Sequence, residues 1–106
     1  MSIVYVAGKY RSRHWWGKLL NIWRAREAGK ELVKQGYSVI VPHMNTAFMD
    51  AHQPDKFWLD ASIEILSRLN PETDMLYMLK GWMTSEGSWM EWHKAKDMGL
   101  KIVYER

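Results

Sequence analysis

Twelve carboxylates, four histidines and no cysteine set the chemical repertoire of this 106-residue chain. Without cysteine there is no thiolate nucleophile, no disulfide framework and no cysteine-held zinc or iron–sulfur site. The histidines, His14, His43, His52 and His93, are scattered and contain no His-x-x-x-His helical pair, so their spacing points to no metal. The carboxylates Glu91 and Asp60 are the more informative pair. Each falls near the start of an expected helix that follows a strand. Two carboxylates at one ligand edge can attack an anomeric carbon, one as nucleophile and the other handling a proton. Each also has a plainer reading. Ser88-x-x-Glu91 matches a capping box, in which the glutamate reaches back to the Ser88 N–H. Asp60 could simply be an early-turn acid favoured by the helix dipole.

Basic and hydroxyl groups complete the set. Residues 1–26 contain Lys9, Arg11, Arg13, Lys18, Arg24 and Arg26 and no acid, so one end of the molecule should attract anions. The run Gly81-Trp82-Met83-Thr84-Ser85-Glu86-Gly87-Ser88 resembles a phosphate-cradling loop in placing glycines and hydroxyls before a helix. It lacks the Lys-[Ser/Thr] ending of a P-loop, and no Gly-x-Gly-x-x-Gly occurs anywhere in the chain. Nucleoside triphosphatase and dinucleotide chemistry are therefore disfavoured. The segment from Arg11 to Lys18 interleaves cations with Trp15 and Trp16. It could track a phosphate backbone while stacking bases, or fold over a site or onto a neighbouring subunit. His43, after Pro42 at a strand end, is either a ligand contact or a satisfied loop histidine.

The pattern of hydrophobicity shows which elements must position these groups. Residues 3–7, 37–41, 74–79 and 101–104 read as short, nearly continuous apolar strands. Residues 18–35 have helical spacing, with Ile22, Ala25, Ala28, Leu32 and Val33 on one face. A second helix is expected over 55–69 and a third over 88–98, with residues 43–54 as loop. The order β-α-β-α-β-α-β predicts an α/β fold: a mostly four-stranded parallel sheet between two helical layers, a three-layer sandwich. Ligands of such sheets lie beyond the carboxyl ends of the strands. That places residues 8–18, 42–60 and 81–91 at one edge.

Three segments also resemble the nucleoside 2-deoxyribosyltransferase superfamily, which includes nucleoside-5′-monophosphate N-glycosidases. They are Val4-Tyr5-Val6-Ala7-Gly8-x-Tyr10-Arg11, Pro42-His43-x-Asn45, and Gly81-Trp82-x-x-Ser85-x-Gly87-x-x-x-Glu91-x-x-x-Ala95-x-x-x-Gly99. The likeness is greatest to the small bacterial and phage-like branch. It implies a flavodoxin-like fold and cleavage or exchange of the N-glycosidic bond of a (deoxy)nucleoside or its 5′-monophosphate, with no cofactor. By the resemblance Glu91 is the nucleophile at C1′, Asp60 the proton-handling carboxylate and Tyr5 the residue orienting Glu91. Gly8, Lys9, Tyr10, Arg11, His43, Asn45, Trp82, Ser85 and Gly87 are the expected substrate contacts, Ser85 at the 5′-phosphate. Lys9 departs from the serine common in monophosphate hydrolases. The sequence also stops after the fourth strand, where characterised relatives have a fifth.

Length predicts one domain over residues 1–106. No apolar run approaches the ~20 residues of a membrane span, and the start is not a signal peptide, so a cytoplasmic protein without a membrane partner is expected. The expected partners are a nucleoside or nucleotide and further copies of the chain. A silent nucleotide-sensing module and a basic binder of single-stranded nucleic acid are the alternatives.

Overall fold

The computed structural model describes residues 1–45 and 52–106. Four strands form one parallel sheet: β1 (Ile3–Ala7), β2 (Ser38–Ile40), β3 (Met75–Met78) and β4 (Lys101–Tyr104), in the order β2-β1-β3-β4. This is a flavodoxin-like topology. Between the strands run α1 (Trp15–Lys34), the short α2 (Pro42–Asn45), α3 (Asp55–Ser67) and α4 (Glu86–Met98).

β1 is central. Tyr5 lies in register with Ile40 of β2 and Leu76 of β3. Side chains alternate across the sheet, so both faces of this strand must be apolar. Val4 and Val6 meet Ala25, Ala28 and Leu32 of α1. Tyr5 and Ala7 face the other way, into a core with Leu66, Leu76, Met78 and Ala95 that α3 and α4 cover. The continuous apolar run in the sequence is thus a strand buried on two sides. Asp74 fastens the opposite end of the sheet. Its buried carboxylate accepts from the Ile3 N–H (2.9 Å), the Asn70 N–H (2.7 Å) and the Thr73 hydroxyl (3.1 Å).

Several boundaries differ from the expected ones. α1 begins at Trp15 instead of residue 18, because Trp15 and Trp16 enter the helix facing solvent and leave no apolar period to read. The expected loop after β2 opens with α2, while residues 46–51 lie outside the described structure. α4 begins at Glu86, two residues before Ser88, and its N-cap is Ser85, whose Oγ accepts from the Ser88 N–H at 3.2 Å. Gly81 sets up this start. At φ 82° it adopts a left-handed conformation that a side chain would oppose, and a 3₁₀ turn over Trp82–Thr84 follows.

Candidate active site

At the carboxyl end of β1 the chain turns away at Gly8, where a Cβ would lie 2.7 Å from Leu79. Only glycine fits so close an approach. The following loop, α2, the first turns of α3 and the N-terminus of α4 enclose a cavity of about 500 Å³. That is ample for a small molecule.

Glu91 stands at this cavity, in the second turn of α4, and is only 8% exposed. The Tyr5 hydroxyl donates a short hydrogen bond to Glu91 Oε2. Burial pushes the Glu91 carboxyl from 4.5 up to about 7, against the opposing effect of the Tyr5 hydrogen bond. Tyr5 itself is raised well above its ordinary value, by burial first and then by the neighbouring Glu91 charge. The Ser62 carbonyl lies 3.4 Å from the same hydroxyl, so Tyr5 has a second acceptor when Glu91 is protonated. The capping-box reading of Glu91 is excluded here. Ser85 caps α4, and the Glu91 carboxylate is engaged by β1 instead of by the backbone of its own helix.

The remaining expected site residues divide. Gly8, Lys9, Tyr10, Arg11, His43, Ser85 and Gly87 all line the cavity. Arg11 ties its loop to α3 through Asp55 at 2.8 Å. From the other side, Asn21 of α1 donates to the Tyr10 carbonyl at 3.2 Å. His43 Nε2 lies 3.0 Å from the Lys9 carbonyl, so that nitrogen carries the proton and Nδ1 is left as an acceptor. Burial lowers the His43 pKa, which keeps the ring neutral. Three buried polar atoms at the cavity have no partner among the described residues: His43 Nδ1, Tyr10 Oη and Ser88 Oγ. The side chain of Asn45 lies outside the described structure.

Asp60 and Trp82 are placed elsewhere. Asp60 is exposed and paired with Lys56 at 2.5 Å, off the cavity lining. Asp55, Lys56, Trp58, Leu59 and Ser62 of α3 line the cavity; Asp60 lies one turn beyond the lining residue Lys56 and is not itself in the lining, and the Asp55 and Asp60 side chains are both exposed, at 77% and 58%. Trp82 turns into the core, with its ring centroid 4.5 Å from Trp89 and 6.3 Å from Trp92. The 3₁₀ turn directs it inward. Asp55 is the carboxylate that sequence reasoning missed, since at a helix start it reads as a cap. Its i, i+3, i+4, i+7 continuity with Trp58, Leu59 and Ser62 was the available signal.

The site is thus a buried, protonation-sensitive glutamate at the strand-end cavity of a flavodoxin-like parallel sheet. Residues 3–104 match a domain of unknown function, DUF4406, and the chain belongs to that family. No curated protein matches the chain, and no solved structure does. Among the described residues no helix is long and apolar enough to cross a membrane.

Proposed function

We propose that the protein cleaves or exchanges the N-glycosidic bond of a (deoxy)nucleoside or nucleoside 5′-monophosphate, with Glu91 as the nucleophile, and that it falls within the nucleoside 2-deoxyribosyltransferase superfamily. The observation that carries this reading is Glu91 itself: a buried carboxylate at a ligand-sized cavity, hydrogen-bonded by Tyr5 and with no cation paired to it among the described residues. Such a group is costly to keep for stability alone.

In the reaction, a Glu91 oxygen bonds to C1′ as the C1′–N bond breaks. The bonding pair leaves with the base nitrogen, which takes up a proton relayed from water through Asp55. Water, or a second base, then displaces the ester and frees Glu91. Tyr5 holds the carboxylate in one orientation before attack. Asp55, which lines the cavity where Asp60 does not, is the carboxylate assigned to the departing base; Glu86, at the start of α4, is the third carboxylate of the lining. Arg11, Lys9, Ser85 and the positive end of the α4 dipole favour a phosphorylated substrate.

The test is incubation with a panel of deoxynucleosides, ribonucleosides and their 5′-monophosphates, followed by chromatography for free base. Brief exposure to a turned-over substrate should leave a glycosyl adduct on the Glu91 peptide. Release of base by Glu91→Gln at the wild-type rate, or no release from any member of the panel, rejects the reading.

A further inference from the structure

α1 turns Ala25, Ala28, Gly29 and Leu32 towards the sheet. Directly opposite, its first half carries Trp15, Trp16, Leu19, Leu20 and Trp23, all exposed, the three tryptophans at 75%, 58% and 54%. At 100° per residue these five span about 140° of arc centred on the crest of the helix, over about 12 Å of its length. With up to about 250 Å² available on a tryptophan, the stripe presents roughly 600 Å² of apolar surface, the upper end of what a monomer leaves in water. The crest points away from the sheet, so packing within this domain cannot bury it. Beyond Trp23 the same side of the helix turns charged, with Arg26, Lys30 and Lys34.

We infer that this stripe is the contact between two copies of the chain, paired through antiparallel α1 helices about a two-fold axis near Leu19 and Leu20. Two such stripes bury about 1,200 Å² together, where specific interfaces begin. The stripe is self-complementary under that symmetry. Antiparallel pairing sets Trp23 against the second copy's Trp16 and Leu19 against its Leu20. Arg24 comes beside the same Trp16, a cation over an indole. Parallel pairing would instead align the basic segments Arg11–Arg13 with one another. A polyanion fits less well, because the two leucines offer a base nothing to stack on, and Lys30 and Lys34 on the same side are already paired with Glu27 and Glu31. The pairing also bears on the cavity, since Asn21 of α1 holds the Tyr10 carbonyl of the cavity loop.

Sedimentation or light scattering of the full chain over a range of concentrations tests the inference. Twice the monomer mass is expected, and Leu20→Glu should raise the dimer dissociation constant at least about 100-fold by burying a charge against its own copy. Circular dichroism must show that variant folded. The chain has no native cysteine, so Leu20→Cys gives a second, fold-independent measurement. It should oxidise to a covalent dimer, while Val33→Cys, about 20 Å further along α1, should not. A wild-type monomer overturns the inference, as does a dimer that survives folded Leu20→Glu. Equal cross-linking at both positions also overturns it. So does a monomer that gains mass only with a single-stranded oligonucleotide or anionic vesicles.

Discussion

Glu91→Gln should make the protein more stable at alkaline pH while removing its activity. In the folded chain the Glu91 carboxyl holds its proton up to about pH 7, against 4.5 for the unperturbed group, because burial penalises the charge. The folded state therefore binds the proton more tightly than the unfolded state. Below pH 4.5 both states are protonated and the site costs nothing. As pH rises from 4.5 to 7 the unfolded chain loses its proton first, and stability falls. Above 7 the loss is complete and constant. At about 1.4 kcal/mol per pH unit, the gap from 4.5 to about 7 costs about 3 kcal/mol. Glutamine keeps a carbonyl for the Tyr5 hydroxyl and never ionises. Urea unfolding followed by circular dichroism should show Glu91→Gln about 3 kcal/mol more stable than wild type at pH 8, and equal to it near pH 4. Near the transition midpoint this corresponds to a thermal shift on the order of 15 °C for a domain of this size. A destabilised Glu91→Gln at pH 8, or a difference that does not change with pH, refutes the account of Glu91 as a buried, uncompensated carboxylate.

The same group predicts the rate profile. A nucleophilic Glu91 acts as carboxylate, so kcat/KM for base release should fall about tenfold per pH unit below about 7; a flat profile from pH 5 to 8 would exclude it. Tyr5→Phe removes the hydrogen bond that favours the Glu91 charge, so the ascending limb should move to higher pH, with about a tenfold loss at pH 7. Parallel assays of Asp55→Asn and Asp60→Asn separate the two carboxylates of α3. The first should lose about 100-fold in turnover and the second should stay within about threefold of wild type. At Asp74, burial acts to raise the carboxyl, but donation from the Ile3 and Asn70 N–H groups and the Thr73 hydroxyl outweighs it and holds the pKa below the usual value. Its stabilisation is therefore present above the ordinary carboxylate pKa and lost as pH falls through the lowered one. Asp74→Asn should cost about 1–3 kcal/mol at pH 7 and progressively less in acid, as read from denaturant titrations at both pH values.

The order of elements was legible because β1 is buried on both faces and must be apolar throughout, while Ala25, Ala28 and Leu32 repeat at helical spacing. Gly81 and the hydroxyl run before α4 marked the strand-end loop that carries Glu91. Three features were not legible. The start of α1 was hidden because Trp15 and Trp16 point outward, against any amphipathic period. The start of α4 was hidden because Ser85 and Ser88 are equally good caps by type, and only the fold decides between them. The placing of α3 was the costliest: Asp55 and Asp60 are both early-turn acids, and Asp60 falls just outside a lining that includes its own partner Lys56. The partner of Glu91 lies 86 residues away on β1, a pairing that only the register of the sheet brings about.

Trp82, Trp89 and Trp92 form a chain of indole rings running from the 3₁₀ turn along α4, and the last donates its N–H to the Tyr104 hydroxyl on the edge strand at 2.9 Å. Rings this close exchange excitation, so the near- and far-ultraviolet signals of these chromophores are coupled. Trp89 and Trp92 are anchored on the helix that holds Glu91, and Trp82 on the turn that leads into it. A displacement of α4 by a fraction of an ångström, on filling the cavity or on changing the glutamate's charge, would alter that coupling and give the protein an intrinsic optical reporter that needs no added dye.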